Sequence, residues 1–417
     1  MEQLRACVRG KIGDPRSAVG PELEKARQAC GAVFVRPCVL AAEQKQAAGV
    51  AAPSAPKDAA AAPDAPLEIR TSFVAPPRTI ADITAILDSE KPDETQIAKR
   101  KATADASPNG LTGPKLAQFL FDRAAARALL ARNKEALADG LQALDIAKHG
   151  MDLRFLARTR RVVAQQYKAT GNPKDAIAIL QVQVGEGDVP GRRGTVIASL
   201  RFIAQMLVSI GDVSQANAYV GRAEAMVSEA RGSPNPKWRA SYPIYGHNWE
   251  ADADAARALI FEARGQYADA ETAYRRAEAF ARASVKDLPR YDPPVPPREQ
   301  FLQIADGYLL SIARNEAKQG KLSAAEADAR RALLGILKAQ GKYNPATPPF
   351  IIGLAGILVE QGRYKEAEKL GRSALDVLRT IGVADEAAGE RGDSFQPRQY
   401  SGAAAKDEGG RRGLCAA

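Results

Sequence analysis

The sequence predicts an all-α fold, an α-solenoid of about six helix-turn-helix units, and three observations carry it. The 417 residues are 45% hydrophobic and 26% charged but only 6% aromatic. With alanine abundant, that balance favours closely packed helices over sheets, whose strands draw on β-branched and aromatic residues. Glycines recur at turn-like positions: Gly171, Gly211, Gly265, Gly320 and Gly362, with Ala131 in the same frame. Each suits the left-handed conformation that ends one helix before the next begins. Alanine then keeps a fixed phase around each turn. Five residues after it stand Ala136, Ala176, Ala216, Ala270, Ala325 and Ala367; seven before it stand Ala124, Ala164, Ala204, Ala258, Ala313 and Ala355. Twelve after it the series is Ala143, Gln183, Ala223, Ala277, Ala332 and Ala374. Small side chains at matched phase on two helices let their axes approach closely.

Residues 1–78 show little sustained periodicity, and their Ala/Pro stretch AAGVAAPSAPKDAAAAPDAP predicts a disordered linker. Residues 79–114 read as a short helical lead-in. Ile80, Ile83, Ile86 and Leu87 form an amphipathic stripe stopped by Pro92, a second short helix follows in TQIAKRKATA, and SPNGLTGP breaks it. Residues 115–383 form the repeat array. The turns lie 40, 40, 54, 55 and 42 residues apart, and the two wide spacings hold insertions at Arg231–Trp249 and Val285–Glu299. Their prolines predict loops. After Val383 the chain has one Leu and no Ile or Val, so 384–417 is expected to be a disordered tail or an altered C-terminus. Neither supplies the polar-faced cap a solenoid end needs. The surface around Leu375 and Leu378 is therefore expected to lie uncovered, open to self-association, with Lys365 and Glu366 solvated.

The segments GQYADAETAYRRAEAFA and GRYKEAEKLGRSAL, with Tyr267 and Tyr364 at the aromatic place, resemble the second half of the tetratricopeptide (TPR) motif. The family repeat is about 34 residues. The longer units here resemble the extended TPR relatives of kinesin light chains and of bacterial scaffold and TPR–CHAT proteins. The resemblance covers about 265 of 417 residues. It implies a right-handed solenoid whose first helices line a concave groove, and a non-enzymatic scaffold that binds a peptide or protein there. It also implies an alternative: the recognition half of a TPR–CHAT caspase-like protease system without its catalytic domain.

On the first helices, Arg158, Arg161, Gln165 and Lys168 are spaced to share one face. Arg201 and Gln205 repeat the phase of Arg161 and Gln165, and Arg314 and Lys318 lie on the corresponding face of the fifth unit. Stacked in phase they would form a basic-polar stripe suited to an acidic ligand; a charged face kept for solubility is the plainer reading. The clamp lysines and asparagines that TPR domains use on acidic C-terminal peptides are not reproduced. Trp238, Tyr242, Tyr245 and Trp249 cluster in the first insertion as possible loop contacts, or as rings folded back over neighbouring helices, with His247 in a packing or hydrogen-bonding role.

Catalysis is not expected. The glycines fall at turn spacing rather than in a phosphate-binding loop, and Asp252 and Asp254 sit among alanines on what reads as a solvated helix. Cys7, Cys30, Cys38 and Cys415 form no CxxC pair, and His149 and His247 stand alone, so no metal or cofactor is expected. The net charge of +10 is mild over this length, and the densest basic run, AKRK at Ala98–Lys101, lacks interleaved aromatics, so nucleic acid is not an expected partner. No apolar stretch reaches the ~20 residues that span a bilayer. The one leader-like segment, GAVFVRPCVLAA, is interrupted by Arg36 and Pro37. A cytoplasmic location is expected, with export as the alternative if the start is misassigned.

Overall fold

Fourteen α-helices and one short 3-10 turn make up the described residues, which contain no strand. The computed structural model describes residues 75–186, 192–291 and 297–383, all within the unit Ile69–Ala417. The expected linker up to residue 74, the tail from 384, the four cysteines and part of the second insertion lie outside them. The lead-in holds α1 (Ala81–Ser89) and α2 (Glu94–Asp105). Six helical hairpins follow: α3 (Gly113–Leu129) with α4 (Asn133–Ala147), and α5 (Leu153–Ala169) with α6 (Pro173–Gly185). Next come α7 (Arg193–Ser209) with α8 (Val213–Gly232), and α9 (Pro236–Ala263) with α10 (Tyr267–Asp287). The last are α11 (Arg298–Lys318) with α12 (Leu322–Gln340), and α13 (Pro348–Glu360) with α14 (Tyr364–Ile381).

Each hairpin closes in the same way. The five turn glycines have φ between 72° and 86°, and Ala131 holds φ 59° in their place. The residue after each turn donates its N–H back five positions, as in Asn172 to Tyr167 O (2.8 Å), Lys321 to Glu316 O (2.9 Å) and Arg132 to Arg127 O (2.9 Å). That bond is the signature of a Schellman closure. The alanines of the two six-membered series, five after and seven before the turn, are all at most 1% exposed. In the third series Gln183 replaces alanine, and its amide donates to Ser199 Oγ at 2.7 Å.

The first insertion corrects the sequence expectation. Residues 236–249 are the opening turns of α9, a 28-residue helix that carries Pro243 inside it. Trp238, Tyr242, Tyr245 and Trp249 recur at helical spacing, so burial of their rings outweighs the one backbone hydrogen bond that proline removes. Trp238 and Trp249 are buried, and Tyr242 and Tyr245 pack against the core cluster that holds Trp249. The Arg193 guanidinium lies 3.7 Å over the Trp238 ring. His247 meets Asp287 Oδ2 at 2.6 Å and stacks on Phe280.

The far end of the array is also covered, against expectation. Ile80, Ile83 and Leu87 of the lead-in, with Ile97 of α2, join one buried cluster with Leu333, Ile336, Leu370, Leu378, Ile381 and Val383. Leu375 packs against it. Polar contacts fix the docking. Arg330 donates to both Asp82 carboxylate oxygens (2.8 and 2.9 Å) and to Thr79 O (2.8 Å). Ile80 N–H donates to Glu366 Oε1 at 3.0 Å, and Lys342 N–H to Glu90 Oε2 at 2.6 Å. Glu366 is therefore a docking residue rather than a solvated one, and the basis for self-association through a bare end is removed. The lead-in also holds the first hairpin: Arg123 donates to Ala106 O (2.8 Å) and Arg127 to Ala104 O (2.9 Å). Residues 79–106 thus clasp the first hairpin and the last two together. Among the described residues no helix is long and apolar enough to cross a membrane.

Candidate functional site

Four of the five successive pairs of first helices touch directly, α3 with α5, α5 with α7, α7 with α9 and α11 with α13, whereas α9 and α11 do so only weakly at most. Successive second helices do so only weakly at most. The array therefore bends towards its first helices, which form its inner face, and every residue of the expected basic stripe lies on them.

Two populations of arginine separate on this scaffold. At the seams between helices, arginines are held by acids. Arg123 and Arg127 share Asp139, Arg160 binds Glu186, Arg257 binds Glu224, Arg276 binds Asp254, and Arg363 binds Glu326. Asp254 is buried, and burial raises its pKa against the opposing pull of Arg276. It is a seam residue, so its expected solvated place on α9 is corrected.

The inner face differs. Among the described residues the side chains of Arg161, Lys168 and Arg314 make no ion pair and no hydrogen bond. Burial lowers the pKa of Arg161, with Asp252 opposing the shift and Arg201 and Arg158 adding to it. Burial also lowers Lys168, with Arg201 adding. Arg314 is lowered by burial as well, opposed by Glu262 and Tyr274. Lys168 and Arg314 are nonetheless exposed, so solvent screens much of that effect. Arg158 lies 4.9 Å over the Phe121 ring.

Arg201 is the deepest of the set. Its Nε stands 2.8 Å from Asp252 Oδ1, off the N–H axis, so the contact is a charge pair rather than an aligned hydrogen bond. Burial opposes its charge, while Tyr308, Asp252 and Tyr274 raise its pKa overall. Asp252, expected on a solvated helix, is thus the acid of the groove floor. Tyr274 stacks on Tyr308 at 6.3 Å and donates its hydroxyl to Glu262 at 2.8 Å. Arg158 and Arg201 lie within electrostatic range of Arg161, and Lys168 within range of Arg201. Arg314 stands beside Tyr274 and Glu262. Gln165, Gln205 and Lys318 lie on the same helices without a polar partner among the described residues. Sequence reasoning missed Tyr308 and Tyr274 and put Asp252 on a solvated face; their only signal was a tyrosine or acid on a first helix or its neighbour, with no shared phase.

A second feature is a cavity of about 150 Å³ between the clasp and the segment after α12, lined by Glu90, Asp93, Gln96, Arg100, Tyr343 and Asn344 among others. One guanidinium nitrogen of Arg100 is buried there without a hydrogen-bond partner, and burial lowers its pKa.

The architecture is that of a tetratricopeptide-like helical repeat. No family model matches the chain, and no curated protein matches it. Solved structures of similar build include a Rap protein complexed with competence and sporulation factor, at 16% identity over 77% of this chain and 82% of that one, with a TM-score of 0.44. The apo form of RapI is 12% identical over 69% of this chain and 89% of that one, with a TM-score of 0.43. The TPR2AB domain of yeast Sti1, solved in complex with pHSP90, is 16% identical over 69% of this chain and 100% of that one, with a TM-score of 0.25. These likenesses are loose, and the architecture stands on the hairpin geometry above.

Proposed function

We propose that this chain is a non-catalytic protein-interaction scaffold that holds an extended acidic peptide segment against its inner face. One observation carries the reading. Cations at the helix seams are neutralised by acids, whereas the side chains of Arg161, which is half-buried, and of Lys168 and Arg314, which are exposed, have none. Desolvating a charge without a counter-charge is unfavourable, and an acidic ligand would relieve it. Side chains on separate, rigid helices suit an extended peptide, with guanidinium forks donating to its carboxylates and backbone carbonyls.

The test uses fluorescein-labelled octaglutamate amide and the full chain, read by fluorescence anisotropy. Binding should weaken steeply with added salt, and the double variant Arg161→Glu, Arg314→Glu should lose at least tenfold in affinity. Neither residue is paired, so the variant should fold. Equal affinity of variant and wild type sinks the reading.

A further inference from the structure

The cavity between the clasp and the segment after α12 lies apart from the inner face. Its volume of about 150 Å³ falls below the roughly 300–1,000 Å³ of sites for drug-sized ligands, so it suits an occupant of metabolite size. Its walls come from distant parts of the chain. Glu90, Asp93, Gln96 and Arg100 of the lead-in form one, and Tyr343 and Asn344 stand on the other. The walls meet where Lys342 N–H donates to Glu90 Oε2, 252 positions away. Gly341 beside it has φ 75°, and a Cβ there would stand 3.1 Å from the same carboxylate oxygen.

The charges on this cavity are unmatched. Arg100 is half-buried, its side chain makes no ion pair or hydrogen bond among the described residues, and its Nη1 is buried. Seam arginines as enclosed as this, Arg160 and Arg330 among them, each hold a carboxylate. A guanidinium without one lacks an oxyanion partner. The acids have the opposite shortage. Glu90 is half-buried and Asp93 exposed, and each has one carboxylate oxygen on a backbone N–H, that of Lys342 at 2.6 Å and of Gln96 at 3.0 Å. Their other oxygens have no hydrogen bond, and neither acid pairs with a cation, among the described residues. One small volume is thus lined by a cation without an anion and by two acids without a cation.

We propose that this cavity binds a small amino-carboxylate, a free amino acid or a molecule of like chemistry. Its carboxylate accepts from the Arg100 guanidinium, and its ammonium donates to the free oxygens of Glu90 and Asp93. The side-chain amides of Gln96 and Asn344 supply further donors and acceptors. The two acids work against a dianion such as phosphate. Because one wall is the lead-in and the other follows α12, a bound molecule holds the clasp closed, and binding is linked to docking of the clasp.

The test uses the full chain, titration calorimetry, and three zwitterions of increasing charge separation: glycine, 4-aminobutanoate and 6-aminohexanoate. Acetate and inorganic phosphate are the comparisons. At least one zwitterion should bind saturably, about tenfold or more tighter than either comparison. It should also slow amide exchange in α2 and in residues 340–344 together. Arg100→Met should lose about tenfold in affinity and unfold at the same or a higher urea concentration than wild type, since the guanidinium has no partner to lose. Glu90→Gln keeps an oxygen for Lys342 N–H and should also bind more weakly. Failure of all three zwitterions to bind overturns the site, as does unchanged affinity in either variant. Acetate or phosphate binding as tightly as the best zwitterion overturns the amino-carboxylate assignment. Lower stability of Arg100→Met would mean that the guanidinium is bonded within the chain, which also overturns it.

Discussion

The clasp predicts that a substitution near the N-terminal end will loosen helices some 250 residues away. Ile83 is fully buried in the cluster that also contains Leu333, Ile336, Leu370, Leu378 and Ile381. Ile83→Ala removes three carbons, about 2.4 kcal/mol at ~0.8 kcal/mol for each buried methylene. The cavity left behind adds to this, so the expected cost is about 3 kcal/mol within the usual range of roughly 2–5. Hydrogen exchange with peptide-level readout shows where that cost falls. If α1 covers the end of the array, the amides of α12 and α14 should exchange faster in the variant, along with those of α1. A matched control is Leu120→Ala, whose buried side chain belongs to the cluster of the first two hairpins. It should destabilise by a similar amount without selectively loosening α14. If Ile83→Ala speeds exchange only in α1 and α2, the lead-in is an appendage and the covering role is wrong.

Two further outcomes follow from single residues. Glu316 is buried against Arg275 and Asp328, and burial with the like charge of Asp328 pushes its pKa from 4.5 up to about 7, with Arg275 opposing. The folded state therefore holds this proton more tightly than the unfolded chain does. The stabilising contribution is fully present below pH ~4.5 and is lost as the pH rises to about 7, roughly 3 kcal/mol at ~1.4 kcal/mol per pH unit. Glu316→Gln should then be more stable than wild type at pH 8 and indistinguishable from it near pH 4.5 in urea unfolding; a gain that does not vary with pH would contradict the assignment. Gly320 has φ 76° and nothing within 4 Å of where a Cβ would stand, so Gly320→Ala isolates backbone strain. It should cost about 1–2 kcal/mol in the same assay, and a loss below ~0.3 kcal/mol would show that the turn relaxes freely.

The repeat was legible in the sequence because its cause is local. Close approach of two helices demands a small residue at a fixed number of positions from the turn, so the phase of Ala164, Ala176 and their equivalents survives spacings of 40 to 55 residues. The insertion at 231–249 was misread for an equally local reason. Pro243 and Gly246 look like breakers, but Trp238, Tyr242, Tyr245 and Trp249 keep helical spacing, and burying those rings in α9 outweighs the cost of the proline. The clasp was illegible because its contacts join residues 248 to 286 positions apart. Ile80, Ile83 and Leu87 announced an amphipathic helix but not what it would cover, and Glu366 looked like any solvated glutamate of a helical repeat.

The groove divides along the same line. Its cations follow the period of the first helices, so Arg161 and Arg201 could be placed in register from spacing alone. What distinguishes Arg161 from the many other arginines is that its side chain has no ion pair, and that depends on which helices become neighbours. Asp139 and Asp254 neutralise seam arginines; Asp252, two residues before Asp254 on the same helix, points to Arg201 in the groove. Positions two apart on one helix differ by about 200°, enough to send two acids of similar local sequence to opposite duties. A sequence reading that treats Asp252 and Asp254 as a solvated pair loses both, and with them the contrast between neutralised seams and an under-neutralised inner face. That contrast, rather than the net charge of +10, is the ground for proposing that the inner face receives an acidic ligand.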